Sequence, residues 1–165
     1  MKNLISCLAL SLLFALSLPN HATATPREVT SIQVAPGARI SAADQKAVYK
    51  LFCDFRDTFS AHNFKAHFAL YHFPIVRLTG SKMAYYETLA DVPKDILTKG
   101  IPADYAKSEW TSLEIIQASP TKVHVIATFD RVRKDGTAIG NYPALYIAEK
   151  VNGVWGVTVR SNFVD

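Results

Sequence analysis

Three histidines stand at intervals of five residues, at His62, His67 and His72, and imidazole is a common group for metal binding and proton transfer. On a helix, a step of five residues rotates by roughly 500°, so successive side chains lie about 140° apart. The three histidines therefore cannot share one helical face, and the chain has no HxxxH motif. We predict no metal site and no cofactor.

Three arginines, at Arg77, Arg131 and Arg160, stand in or beside apolar, strand-like stretches where a cation is not usually found. If two of them face inward, they favour a ligand with a carboxylate or another anionic group. The competing interpretation, which the sequence favours, places them on a solvated rim or in salt bridges. The candidate partners for such bridges are Asp130, Glu109 and Glu114.

The motifs of covalent catalysis are missing. No Gly-x-Ser-x-Gly elbow and no phosphate-binding glycine loop occurs in the sequence. Cys53 is flanked by Phe52 and Phe55, and we interpret it as a core or boundary residue and not as a nucleophile. No catalytic residue can be named from the sequence.

The first 24 residues have the order of features of a secretory signal peptide. Lys2 precedes the apolar run Leu4–Leu18, and Ala22-Thr23-Ala24 provides a small-x-small cleavage signal. The run is shorter than the ~20 residues that span a bilayer, so we expect export to the periplasm or medium and no stable membrane anchor. Cleavage removes Lys2 and lowers the net charge from +4 to +3. The remaining basic residues are scattered, which argues against nucleic-acid binding.

The rest of the chain divides into a lead-in segment, 25–40, and one domain, 41–165. Ser41 and Asp44 form a capping-box pattern before an apolar stripe of helical spacing, which predicts a helix to about residue 61. Further elements are expected in the order short helix, two short strands, short helix and four long strands: 63–71, 72–80, 82–87, 91–100, 108–117, 122–133, 138–149 and 154–163. Asp135-Gly136 and Asn152-Gly153 predict hairpin turns. Helices followed by an antiparallel meander indicate an α+β fold.

This order of elements resembles the nuclear-transport-factor-2-like superfamily, including its SnoaL-type members. The resemblance rests on the first helix with its phenylalanine-rich end, the second helix ending in Ala69-Leu70-Tyr71, and the closing stretch 152–159, "NGVWGVTV". It covers residues 41–163. It implies a cone-shaped sheet that wraps the helices around a pocket. The long strands are apolar on both faces, so we also expect the outer sheet face to pack against a second copy in a homodimer.

The pocket candidates that follow from this fold are His67, Tyr71, Arg77, Tyr85, Trp110 and Arg131. For His67, a place at the edge of the core is the favoured alternative. A carboxylate base, as in ketosteroid-isomerase-like relatives, is expected on the strand 72–80, where this chain has none. The leading hypothesis is therefore an exported domain that binds a small organic molecule, with an anionic one favoured if the arginines turn inward. The alternatives are a cofactor-independent isomerase, cyclase or dehydratase, and a dimerisation or assembly domain without chemistry.

Overall fold

The computed structural model describes residues 29–163. The predicted signal peptide and the start of the lead-in segment lie outside these residues. The described chain contains two helices and seven strands: β1 Gln33–Val34, α1 Ala42–Ser60, α2 Phe64–Phe68, β2 Tyr71–Thr79, β3 Lys82–Tyr86, β4 Tyr105–Ala118, β5 Lys122–Arg133, β6 Ala138–Val151 and β7 Val154–Asn162. The α+β class predicted from the sequence is confirmed.

The first helix begins and faces the core as its sequence pattern predicts. The Ser41 side chain accepts a hydrogen bond from the backbone N–H of Asp44 and so satisfies one of the free donors at the helix start. Four apolar residues at helical spacing are buried along one side: Val48, Leu51, Phe52 and Phe55. This stripe lies against the concave face of the sheet, because burying it removes apolar surface from water.

One curved sheet contains all seven strands in the order β1-β4-β5-β6-β7-β2-β3. The hairpins β4–β5, β5–β6 and β6–β7 are antiparallel, whereas β2 runs parallel to β7. The registers of β2–β7, β4–β5, β5–β6 and β6–β7 contain shifts of the β-bulge type, which bend strands and increase their twist. This curvature lets the sheet wrap around α1.

Aromatic side chains fill the space between helix and sheet. Phe52 lies edge-on to Trp110 and Tyr146, with ring centroids 6.0 and 5.2 Å away. The indole Nε1–H of Trp110 donates to the Phe52 carbonyl oxygen at 2.8 Å, so the strand is joined directly to the helix backbone. Trp110 is therefore a packing residue as well as part of the cavity described below.

The closing hairpin β6–β7 is held to the start of α1 by Asp44. Its carboxylate accepts hydrogen bonds from Lys150 Nζ at 2.6 Å and from Trp155 Nε1 at 3.0 Å. These bonds, with one from Ser41, lower the pKa of Asp44 to about 2. Trp155 thus closes one end of the fold and faces away from the cavity.

The outer face of the sheet carries two adjacent apolar rows across β3, β2, β7, β6 and β5. The register places Tyr85, Val76, Val159 and Ile147 in one row, and Met83, Leu78, Ser161, Leu145 and Ile126 in the other. Met83 is 73% exposed, Tyr85 55% and Ile126 42%. The first row ends at His124 on β5. Apart from His124 and Ser161, the residues of the rows are hydrophobic, although they lie on the outside of the protein.

Two predictions about secondary structure were wrong. The helix expected at 91–100 is absent; a 3-10 turn, Leu89–Asp91, is followed by irregular turns up to Gly100. So short an apolar segment gains little from helix formation, and the chain instead inserts Val92 and Leu97 as buried anchors. In addition, the lead-in segment contributes the short strand β1, which runs parallel to β4.

Within residues 29–163, no helix has the length and apolar character needed to cross a membrane.

Candidate functional site

A cavity opens at the end of the sheet opposite Trp155, and we call it the mouth. Its walls are the β2–β3 hairpin and the segment 93–101, and it encloses about 1320 Å³ including the part that is open to solvent. Arg77, Arg131 and Arg160 lie along its inner part. Arg131 and Arg160 are only 8% and 7% exposed, so these arginines are inside the protein and not on a solvated rim.

Arg160 is held in place by neighbours on its own sheet. Its Nε–H donates a hydrogen bond to the hydroxyl of Tyr146 at 3.3 Å, and Tyr146 is the residue paired with Arg160 on β6. The amide oxygen of Asn162 faces the guanidinium and accepts hydrogen bonds from Nη2 at 2.8 Å and from Nη1 at 3.2 Å. Since a guanidinium has five N–H donors, this arrangement fixes Arg160 and leaves donors for a further acceptor.

Arg131 is packed among aromatic rings. Its guanidinium carbon lies 4.8 Å from the centroid of Tyr142, 5.8 Å from Phe59 and 5.9 Å from Phe129. Cation–π contacts of this kind stabilise the charge without providing a hydrogen-bond acceptor. The buried Nε–H of Arg131 has no hydrogen-bond partner among the described residues.

Arg77 lies beside Arg160, because the two residues are paired in the parallel register of β2 and β7. Its buried Nη1 likewise has no hydrogen-bond partner within residues 29–163. Burial lowers the pKa of both Arg77 and Arg131 from the usual arginine value, which shows that the surroundings disfavour the charge.

The salt bridges considered at the sequence level are not formed. Asp130 accepts a hydrogen bond from Asn141, and Glu109 pairs with Lys107. None of the salt bridges within residues 29–163 involves Arg77, Arg131 or Arg160; those present are Lys50–Asp54, Arg56–Asp57, Lys107–Glu109, Lys122–Glu149, Arg133–Asp104 and Lys150–Asp44. The mouth therefore contains three inward guanidinium groups without a carboxylate partner in the described chain.

The charge of the whole mouth is strongly positive. Lys82 and Lys99 join the three arginines on its lining, and Asp95 is the carboxylate among the lining residues that the structure describes. Five cations against one anion create a potential that attracts anions and holds them once they are bound.

A narrow crevice continues from the mouth towards the core. Phe59 and Arg160 line both spaces, and the crevice is bounded mainly by aromatic rings: Phe55, Phe59, Trp110, Phe129 and Tyr146. The indole N–H of Trp110 is already bonded to Phe52, so it is not available to a ligand. The crevice thus provides an apolar floor beneath the arginines.

His67 and Tyr71, both predicted as pocket candidates, are buried in the core beside the mouth. Neither of them lines the two cavities just described. His67 Nδ1 lies 3.1 Å from the Thr58 hydroxyl, and burial together with Arg160 and Arg77 lowers the pKa of His67 to about 3. Burial also raises the pKa of Tyr71, so both side chains are neutral near pH 7.

Tyr85 faces away from the mouth, although its chain neighbours Ala84 and Tyr86 line it. Its side chain is 55% exposed on the outer face and donates a hydrogen bond to Glu87. Of the six candidates, the structure brings Arg77 and Arg131 together in the mouth and places Trp110 in the crevice below.

Several residues of the mouth were not among the sequence candidates. Arg160 was noted only as one of three possible inward arginines, while Asn162 and the wall residues Ile96 and Ile101 carried no recognised signal. Strand parity would have identified Arg160 and Asn162, but a register shift in the β6–β7 hairpin between Ile147 and Ala148 changes that parity.

Among residues 29–163, no group of three or more His, Cys, Asp and Glu side chains is placed to hold a metal ion. The group at the centre of the mouth is cationic, so the site has the chemistry of an anion receptor.

Over residues 44–162 the chain matches the model of a protein family described as NTF2-like protein (DUF6841). The protein belongs to this NTF2-like family. The resemblance found in the sequence is therefore confirmed. A search among curated proteins gave no significant match.

Solved structures agree with the NTF2-like fold. A protein of unknown function from Nostoc punctiforme with a cystatin-like fold superposes with a TM-score of 0.66 at 13% identity, covering 77% of this chain and 95% of that one. An NTF2-like protein from Pseudomonas putida superposes with a TM-score of 0.61 at 13% identity, covering 76% of this chain and 89% of that one. An NTF-2-like protein of unknown function from Shewanella oneidensis superposes with a TM-score of 0.56 at 15% identity, covering 73% of this chain and 98% of that one. At these identities the similarity establishes the fold and nothing about the ligand.

Proposed function

We propose that this NTF2-like protein binds a small organic anion in the mouth, with Arg77, Arg131 and Arg160 as the anchoring groups. The single observation that carries the proposal is a cluster of guanidinium groups with no carboxylate partner in the described chain: Arg131 and Arg160 are buried, and so is the Nη1 atom of the half-buried Arg77. Removing a charged group from water costs several kcal/mol unless an opposite charge compensates it. A carboxylate is a good partner, since it accepts two parallel hydrogen bonds from one guanidinium.

Binding is favoured over catalysis because the mouth lacks a matched acid and base. Asp95 is exposed, and His67 does not line the cavity. An isomerase or dehydratase needs a proton-transfer group within hydrogen-bond reach of its substrate. The enzyme hypothesis therefore stays the second candidate, with Asp95 as its only carboxylate on the described lining.

The proposal is tested by thermal stabilisation of the purified protein with small carboxylic acids, each compared with its own amide. The acids are expected to raise the melting temperature and the amides are not. Arg77→Gln and Arg131→Gln should each abolish this shift. Arg133→Gln is the matched control, because Arg133 is on the same strand as Arg131 but pairs with Asp104 at 2.6 Å.

The same variants make a second readout possible. If the arginines are kept for a ligand, their replacement should leave the free energy of unfolding of the ligand-free protein unchanged or increase it. Equal stabilisation by acids and amides, or full retention of the shift in both arginine variants, would contradict the proposal.

We also propose that the outer apolar rows pair with a second copy of the chain. Their hydrophobic side chains are exposed on β3 and β5 and half-buried on the three strands between, and apolar patches of this kind mark interaction sites. Leu145→Glu, in the middle of one row, should halve the mass measured by light scattering. Lys46→Glu, on the exposed side of α1, should leave the mass unchanged. A monomeric parent protein would overturn this proposal.

A further inference from the structure

The positions of charged and apolar groups differ with depth in the mouth. The buried end carries Arg131 and Arg160, each less than a tenth exposed. Nearer to solvent, the walls carry the hydrophobic side chains of Ile96, Ile101 and Ala84, which come from the segment 93–101 and from β3. The mouth is thus cationic at its base, and its sides combine these apolar side chains with the polar side chains of Thr79 and Tyr86.

Two further cations mark the outer rim. Lys82 and Lys99 are exposed and line the same mouth. Exposed lysines are well hydrated, so an ion bound there keeps most of its water and gains little. The buried arginines differ, because an anion that reaches them relieves an uncompensated charge.

We infer that the ligand is a hydrophobic carboxylic acid that enters head first, with its carboxylate on the buried arginines and its apolar body between Ile96, Ile101 and the β2–β3 hairpin. The inference rests on the proposed function and adds to it the chemical class and the orientation of the ligand. An aromatic or alicyclic body suits Ile96, Ile101 and Ala84, whereas the hydroxyls or extra charges of a polar anion would lose hydration against these side chains.

The surroundings of Arg131 are the reason for placing the carboxylate of the ligand at the buried end of the mouth. Three aromatic rings surround its guanidinium and leave the buried Nε–H without an acceptor in the described chain. A carboxylate at the base supplies that acceptor, and the neighbouring fixed Arg160 offers its remaining donors to the same group. The opposite orientation, with the head at Lys82 and Lys99, would leave these buried donors unsatisfied.

The test uses calorimetric titration of the purified protein with naphthoate, acetate, phosphate and naphthamide. We expect naphthoate to bind at least tenfold more tightly than acetate or phosphate, and naphthamide to bind at least tenfold more weakly than naphthoate. The Ile96→Ala variant, at a partly buried wall position, should weaken naphthoate on the order of tenfold and leave acetate unchanged. Val154→Ala, at an exposed position on the far hairpin, is its control.

Two variants decide the orientation. Arg160→Gln should abolish naphthoate binding, while the double variant Lys82→Gln/Lys99→Gln should change its affinity by less than threefold. The reverse result would overturn the head-first orientation. Since Arg160→Gln alters a buried group, its fold is checked by circular dichroism, and Arg77→Gln serves as a second variant at the same base.

The outcomes separate this inference from the function on which it rests. If acetate or phosphate binds as tightly as naphthoate, the mouth is an anion site and the hydrophobic ligand class is overturned. If naphthamide binds as tightly as naphthoate, or if no carboxylate binds at all, both proposals fail. Selective naphthoate binding that depends on Ile96 and Arg160 supports both.

Discussion

The two faces of the sheet differ in a way that is unusual for a protein: cationic side chains point inward, and apolar side chains point outward. On the concave face, Arg77, Arg131 and Arg160 replace the hydrophobic residues found deeper in the core. On the convex face of the same sheet, Ile126, Met83 and Tyr85 are exposed to solvent. Residues on the two faces therefore have surroundings opposite to those that their chemistry favours.

Each departure costs free energy in the isolated chain, and each would be offset by a different one of the proposed occupants. An anion would compensate the buried guanidinium groups, and a second copy would cover the apolar rows. At the end closed by Trp155, where neither occupant is proposed, Asp44 satisfies the polar groups from within the chain. The comparison directs the search for function to the groups that the fold leaves incompletely satisfied.

The largest effect is expected on the free energy of unfolding, when isoleucine is replaced by alanine on each of the two faces. Ile115 is fully buried on the concave side, while Ile126, on the next strand and one register position away, is 42% exposed. Ile115→Ala should reduce the free energy of unfolding by about 2–5 kcal/mol, because it leaves a cavity. Ile126→Ala should reduce it by less than about 1 kcal/mol in the monomer. Urea denaturation of both variants, in parallel with the parent, measures the difference. Equal losses would show that the convex face is as tightly packed as the core, and the contrast between the faces would fail.

The next largest effect is on how stability depends on pH, and it is measured with one histidine from each side of the sheet, His67 and His124. The pKa of His67, about 3, lies below its ordinary value of 6.5, so the unfolded chain takes up the proton first as the pH falls. The corresponding stability is fully present above pH 6.5 and is lost as the pH falls towards 3, with a slope approaching about 1.4 kcal/mol per pH unit. Burial is the main cause, and the two nearby arginines add to it.

The substitution His67→Gln should flatten this part of the stability curve between pH 6.5 and 4. His124→Gln is the control, since His124 is on β5 and bonds to Gln117 at an exposed site. The curve of free energy of unfolding against pH is measured by urea denaturation at each pH. A parent slope that persists in the His67 variant would show that another group is responsible.

Much of this fold could be predicted from the sequence, because its signals are local. The Ser41 cap, the stripe from Val48 to Phe55 and the turn at Asn152-Gly153 each depend on residues within one or two turns of chain. The segment 91–100 gave a misleading local signal, because its proline and glycine fit both a short helix and a series of turns. Tertiary anchoring by Val92 and Leu97 decided between them.

The site could be predicted only in part, because it depends on which way each strand residue points. Arg77 and Arg131 were named as candidates, but the sequence favoured the rim for all three arginines. Their inward orientation follows from register, and shifts at positions such as Arg131/Val132 alter the parity that a regular strand would have. Tyr85 illustrates the same limit, since its pairing with Val76 places it on the convex face.

The smallest of these effects is expected at Gly156, where the ring of His72 covers the convex face. It tests how closely that face is packed there. A Cβ atom added at Gly156 would lie 2.6 Å from Cδ2 of the His72 ring, whose Nε2 is 3.0 Å from the carbonyl oxygen of Val154. The backbone of Gly156 does not have a positive φ, so the cost of Gly156→Ala is steric and should be about 1–3 kcal/mol. In a His72→Ala background the obstructing ring is gone, and the same change should cost much less. A double-mutant cycle by urea denaturation measures this coupling. If Gly156→Ala costs the same in both backgrounds, the ring does not limit the space, and the covered end of the convex face is packed no more closely than the open rows beside it.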